Sequence, residues 1–125
     1  MIISSLLSIL MKTKEQILID LVTPDLPIMA YAQRQLLPRI KATFPNEKIT
    51  LETKLEIHSM VDLGVEGGIG CELRIKGMDP AEAKAAMLVS ITHLKIKKGE
   101  PHYQELQKYC VKRIRKLKRQ DRRFL

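Results

Sequence analysis

The residues best suited to chemistry form a cationic run close to the C-terminus. Eight of the twelve residues from 112 to 123 are basic, namely Lys112, Arg113, Arg115, Lys116, Lys118, Arg119, Arg122 and Arg123. A helix over this run keeps Ile114 and Leu117 for packing. It turns four cations to solvent, Lys112, Arg115, Lys116 and Arg119. A helix with this exposed row can bind the phosphates of a nucleic-acid backbone by charge alone. Two other interpretations stay open: a solvated helix end favoured by the helix dipole, or a surface for a protein partner or a membrane.

The excess positive charge is confined to the last quarter of the chain. Residues 1–94 hold ten Lys or Arg against eleven Asp or Glu, whereas residues 95–125 hold twelve against three. The net charge of +8 therefore comes entirely from the second segment. Because a positive surface concentrates polyanions near it, the sequence predicts a non-catalytic accessory domain that binds an acidic macromolecule, in the first place nucleic-acid backbone.

Aromatic residues are too few for base recognition. The chain has two Phe, three Tyr and no Trp, and the predicted strands contain none of them. A sheet that stacks single-stranded bases is therefore disfavoured, and we expect contact mainly with the backbone. Pro38 also interrupts the segment that would otherwise suit helix-turn-helix recognition.

Residue types used in metal binding and catalysis are present, but their spacing matches no known motif. His58, His93 and His102 are scattered, and Cys71 and Cys110 lack a CxxC spacing. We therefore predict no metal site, no cofactor and no catalytic residue, and we expect both thiols to be reduced and buried. One alternative stays open, an acid–base site assembled around a hairpin from His58, Asp62, Glu66, Glu72 and His93.

Helical periodicity predicts three main helices. The first covers 12–22, and the second covers 26–43 with a kink at Pro38. The last covers about 102–119 and begins after Pro101. Its inward stripe consists of Tyr103, Leu106, Cys110, Ile114 and Leu117.

Alternation with a period of two predicts the strands. We expect strands at 48–58 and 69–76, paired antiparallel through a turn at 62–68. The glycines of that turn lack the GxxxxGK[ST] pattern of a phosphate loop, and Gly70 is expected to let another group approach closely. The β-branched run 87–96 predicts a third strand, with a continuous helix over 80–94 as the alternative. Residues 81–86 fit either a short capped helix or a wide loop.

Together these elements predict an α+β fold. Two N-terminal helices precede a three-stranded antiparallel meander, a basic C-terminal helix follows, and the helices cover one face of the sheet. Residues 11–125 are the expected single domain, with 1–10 as an N-terminal extension dispensable for the fold. Neither a secretion signal nor an apolar span of about 20 residues is evident, so we expect a cytoplasmic protein with no membrane span.

A second functional hypothesis is a protein-interaction or homodimeric module that uses the sheet. Salt distinguishes the two hypotheses, because phosphate binding weakens steeply with ionic strength and an apolar interface does not.

Three segments carry a resemblance: 64–73, with the sequence GVEGGIGCEL, 90–94, with the sequence SITHL, and the helix from Pro101 to Leu117. They are similar to small conserved bacterial proteins of a cyanobacterial kind, over about residues 12–119. The resemblance implies a single cytoplasmic domain. It assigns no activity and transfers no functional residue.

Overall fold

The structure is a computed structural model that describes residues 12–77 and 87–123, with side chains as far as residue 120. The expected extension at 1–10 and the short helix or loop at 81–86 lie outside the described residues. The elements in chain order are α1 (Lys14–Val22), β1 (Ile28–Ala32), α2 (Leu37–Thr43), β2 (Leu55–Asp62), α3 (Gly64–Gly67), β3 (Ile69–Ile75), β4 (Met87–Ser90), β5 (Leu94–Ile96) and α4 (Tyr103–Arg123). Single 3₁₀ turns lie at Thr23–Asp25, Arg34–Leu36 and Ile91–His93.

The five strands form one antiparallel sheet in the order β4-β3-β2-β1-β5. Alternate strand residues are buried, as in β1, where Ile28, Ala30 and Ala32 face inward. These inward residues form one core cluster with side chains from the helices, such as Ile19, Ile40 and Leu106. The α+β class and the C-terminal helix are therefore confirmed.

The predicted helix over 26–43 is wrong. Residues 28–32 form β1, which lies between β2 and β5 and is paired along both edges. The period of two is hidden in the sequence because the outward residues, Met29 and Tyr31, are also largely apolar. Only α2 remains of the predicted helix, and Pro38 lies in its first turn, where a missing N–H costs nothing.

The three-stranded meander is also wrong, because the predicted strand at 87–96 is two strands. β4 pairs with β3 at one edge of the sheet, and β5 pairs with β1 at the other edge. The 3₁₀ turn at Ile91–His93 separates them, and Ser90 caps this turn by accepting a hydrogen bond from the Thr92 N–H. The alternative helix over 80–94 is thereby excluded for residues 87–94.

This connection shows that the sheet is curled. Five flat strands about 4.8 Å apart would place the edge strands about 19 Å from each other. The four Cα steps from Ser90 to Leu94 span at most about 14 Å when fully extended, and a 3₁₀ turn spans less. The two edges must therefore bend toward each other around the core, and the buried Ile91 and Thr92 lie where they approach.

The predicted hairpin is confirmed with shifted bounds. β2 and β3 pair antiparallel, from Leu55 opposite Ile75 to Asp62 opposite Ile69, with an irregularity between Ile57 and Ser59. β2 begins at Leu55 and not near Lys48. The connection is a helical turn, α3, followed by Gly68.

The first helix is confirmed as α1. The helical spacing of Ile17, Leu18, Leu21 and Val22 predicts its buried face, which is only partly correct. Ile17 and Leu21 are 57% and 47% exposed, whereas Ile19 and Val22 are buried. Glu15 is buried with them, which a pattern of apolar residues could not indicate. Among the described residues no helix is both long and apolar enough to cross a membrane.

We predict that neither cysteine reacts readily in the native protein. Cys71 and Cys110 are free and buried, as expected from the sequence. Burial raises the pKa of the Cys110 thiol to about 11 and that of Cys71 further, so little reactive thiolate exists at about pH 8. Labelling with a thiol reagent should be slow in buffer and fast in denaturant. Rapid labelling of either residue without denaturant would contradict this packing.

Candidate polyanion interface

The basic helix α4 is attached to the core by its apolar side. Leu106 is fully buried, and Cys110 lies near the Ile91 carbonyl, with its sulfur 3.8 Å from that oxygen. At the start of the helix, His102 Nε2 lies 2.6 Å from Asp25 Oδ2. Ile114 and Leu117, assigned to the inward stripe, are partly buried. The packed side of α4 is therefore close to the one that the sequence predicts.

Four of the predicted cations are exposed on α4: Lys112, Arg115, Lys118 and Arg119. Lys116 is partly buried, and Arg122 and Arg123 lie in α4 with side chains outside the described set. Lys108, which lies outside the predicted cationic run, is exposed one turn before Lys112. The i, i+4 spacing of 108, 112 and 116 puts these three on one face, and this spacing was the signal that could have identified Lys108. From Lys108 to Arg119 the row extends about 16 Å.

Glu105, which is exposed three residues before Lys108 on the same face of α4, balances only part of the charge in this row. None of the cations from Lys108 to Arg119 forms an ion pair with another residue in the described parts of the chain. An exposed charge of this kind is well solvated, so it costs the fold little and remains free to contact an anion.

A groove beside the row adds a cation from another element. Lys14, at the start of α1, borders a groove of about 240 Å³ together with Lys108, Lys112 and Lys116 of α4. This volume is below the range of about 300–1,000 Å³ typical of small-molecule sites, so the groove suits a single charged group. No local sequence signal connects Lys14 with residues more than ninety positions later.

Lys14 is held in place by its neighbours. The Thr13 side chain caps α1 by accepting a hydrogen bond from the Gln16 N–H at 3.0 Å, and it donates to Asp62 Oδ2 at 2.6 Å. On the other side, the Tyr109 hydroxyl donates to Glu15 Oε1 at 3.4 Å. Burial, followed by the negative charge of Glu15, raises the pKa of Tyr109 to about 12. The start of α1 is therefore bound both to β2 and to α4.

Arg113 differs from the other cations of the run whose side chains the structure describes, because it is only 8% exposed. Its Nη1 donates to the Val65 carbonyl at 2.8 Å, and its Nη2 donates to the Glu66 carbonyl. The structure therefore places Arg113 among the packing contacts of α4, directed at the β2–β3 turn and not at solvent.

Gly68 makes room for this contact. Its φ is +67°, and a Cβ atom there would lie 2.8 Å from Arg113 Nε and 2.9 Å from the Tyr109 hydroxyl. A side chain at this position would be strained and would also displace the guanidinium.

Two residues of the alternative acid–base site, His58 and Glu72, lie near each other on the paired strands β2 and β3. His93 lies in the 3₁₀ turn between β4 and β5, and Glu66 is exposed on α3. Hydrogen bonds, chiefly from Thr13 and then from the Gly64 N–H, lower the pKa of Asp62. The Ser59 hydroxyl, followed by Arg74, lowers the pKa of Glu72. A general acid needs a raised pKa, so both carboxyls are suited to staying ionised.

The described residues also contain no group of three or more His, Cys, Asp or Glu placed to hold a metal ion. No family model, curated protein or solved structure matches the chain. The interpretation of α4 therefore depends on its own geometry and charge.

We predict that two arginines of α4, two positions apart, contribute very differently to stability. Arg113→Gln removes two charge-assisted hydrogen bonds and should lower the free energy of unfolding by about 2 kcal/mol. Arg115→Gln, the matched control, changes a solvated side chain and should stay within about 0.5 kcal/mol. Denaturant unfolding of both variants measures the difference. Equal stability would show that the Arg113 contact does not hold the helix.

Proposed function

We propose that this chain is a non-catalytic, cytoplasmic accessory domain that binds an acidic macromolecule, above all nucleic-acid backbone, through α4. The observation that supports this most strongly is the row of solvated cations from Lys108 to Arg119, which forms no ion pair among the described residues. Lys14 extends the same surface from α1. A rigid row with excess positive charge attracts phosphates whatever the base sequence.

The aromatic residues of α4 favour backbone contact over base contact. The Tyr109 hydroxyl donates a hydrogen bond to Glu15. The rings of Tyr103 and Tyr109 both pack against the core. Both rings are half-buried and line grooves beside the exposed cations, and their packing limits how far a base can stack on them. Recognition through α4 should therefore show little sequence preference.

We predict a steep salt dependence for binding to duplex DNA. If about five cations contact phosphates, log K should fall against log salt with a slope of about −4 to −5. Replacing Arg115, Lys116 and Arg119 with Gln should flatten that slope by about three, because each neutralised contact removes about one. The melting temperature should change little, since these side chains are exposed or only partly buried. Fluorescence anisotropy across a salt series measures the slope.

A matched control distinguishes binding through the α4 surface from an effect of the net charge of the protein. Lys41, Lys48 and Lys54 are exposed and lie outside α4, and changing all three to Gln removes the same total charge. This variant should keep the slope of the unmodified protein. The proposal fails if no binding occurs at low salt or if both triple variants weaken binding equally.

The alternative, a homodimeric or protein-binding module that uses the sheet, is supported by one apolar cluster. Val61, Leu63 and Leu88 are exposed around Gly70, and a Cβ at Gly70 would lie 2.8 Å from Leu63 and 3.3 Å from Leu88. Gly70 thus permits the close approach expected from the sequence. Exposed aliphatic groups collected in this way are typical of contact surfaces.

We predict that any self-association occurs through this cluster. Sedimentation velocity should then show a dimer that persists at high salt, because apolar burial is not screened, and Leu88→Lys should dissociate it. Leu21→Lys changes an equally exposed aliphatic residue on α1 and is the control. A monomer at all concentrations would reject the alternative.

A further inference from the structure

The positive charge of the last quarter of the chain is divided between two surfaces. Lys95, Lys97 and Lys98 do not belong to α4. They border a separate groove of about 750 Å³ over β1 and β5. This volume falls within the range of about 300–1,000 Å³ that small-molecule sites occupy, about three times the volume of the groove beside α4.

The sheet topology builds this groove. β1 forms its floor, β5 lies on one side, and Leu51 and Glu52, which precede β2, lie on the other. Tyr31 is directly opposite Lys95 in the antiparallel pair, so both side chains project from the face of the sheet that is not packed against the core. Gln33 fixes this end of β1 by donating to the Thr92 and Leu94 carbonyls at 3.1 and 3.2 Å.

The lining combines unneutralised cations with an aromatic ring. Arg34 joins the three lysines, and none of these four forms an ion pair with any described residue. Arg34, Lys95 and Lys98 are exposed, while Lys97 and Tyr31 are partly buried. Glu52 is the acidic residue in the lining. A ligand that satisfies this set carries several negative charges, a flat ring and groups that donate hydrogen bonds.

We infer that this groove binds a nucleoside phosphate. The phosphates contact Arg34 and the three lysines, and the base lies against the Tyr31 ring, since base–aromatic stacking accepts any base. A ribose hydroxyl or an exocyclic amine donates to Glu52. The site shares no residue with the α4 surface and is independent of the function proposed for it.

Isothermal titration calorimetry with magnesium-free ATP and with inorganic tripolyphosphate tests this inference. The unmodified protein should bind ATP more tightly than tripolyphosphate, because only ATP has a base. Lys95→Gln combined with Lys97→Gln should weaken ATP binding by about tenfold or more. Tyr31→Leu should abolish the preference for ATP over tripolyphosphate. Thermal melts of each variant establish that it is folded.

The control is the pair Lys112→Gln and Lys116→Gln, which removes two charges from α4. It should leave ATP affinity within about twofold, while the groove variants should leave the salt slope for DNA unchanged. Equal affinity for ATP and tripolyphosphate, equal weakening by both lysine pairs, or no ATP binding would each overturn the inference. None of these results bears on DNA binding by α4, so the two proposals fail separately.

Discussion

The contact between Arg113 and the β2–β3 turn is the interaction on which the arrangement of the basic helix depends. A guanidinium buried to this degree cannot lose its charge, so it is tolerated only where acceptors surround it. The Val65 and Glu66 carbonyls supply two of them, and Gly68 leaves the space. Because successive helical residues are about 100° apart around the axis, fixing Arg113 also fixes the direction of Lys112 and Lys116.

The same constraint separates two kinds of positive charge on α4. Arg113 contributes to stability because its hydrogen bonds are made within the fold. Its neighbours in the row contribute little, because water already solvates them. A helix that keeps Arg113 for anchoring and exposes Lys108, Lys112, Arg115 and Arg119 holds a charged surface rigidly. Lys14 joins that surface because Thr13 and Glu15, on either side of it in the sequence, are bonded to β2 and α4.

Local sequence patterns were sufficient to predict the helices and strands that have one apolar and one charged face. The β2–β3 pair and α4 alternate apolar and charged residues, and both were predicted, although β2 starts later than expected. β1 was mistaken for a helix because Met29 and Tyr31 obscure the alternation, and its pairing with two neighbours decides its conformation. The chain divides into β4 and β5 because these strands pair at opposite edges of a curled sheet. That pairing depends on residues far away in the sequence, so the local pattern of residues 87–96 could not indicate it.

Prediction of the candidate sites from the sequence is limited in the same way, because contacts between distant segments are not visible in local patterns. Composition located the charge, but it could not distinguish Arg113 from Arg115, since burial and not residue type separates them. Nor could it show that Lys95, Lys97 and Lys98 line a different groove from the α4 cations. Both distinctions arise only when distant segments, such as the β2–β3 turn or β1, are brought against the basic residues.

The most direct test of the central claim is a two-dimensional NMR titration of the labelled protein with a short DNA duplex at low salt. The account predicts amide shifts along residues 108–119 and around Lys14, with the Arg113 side-chain resonance unchanged because its carbonyl partners are retained. Shifts confined to the outer face of β2 and β3, or loss of the Arg113 resonance on binding, would contradict a helix that anchors through one side and binds through the other.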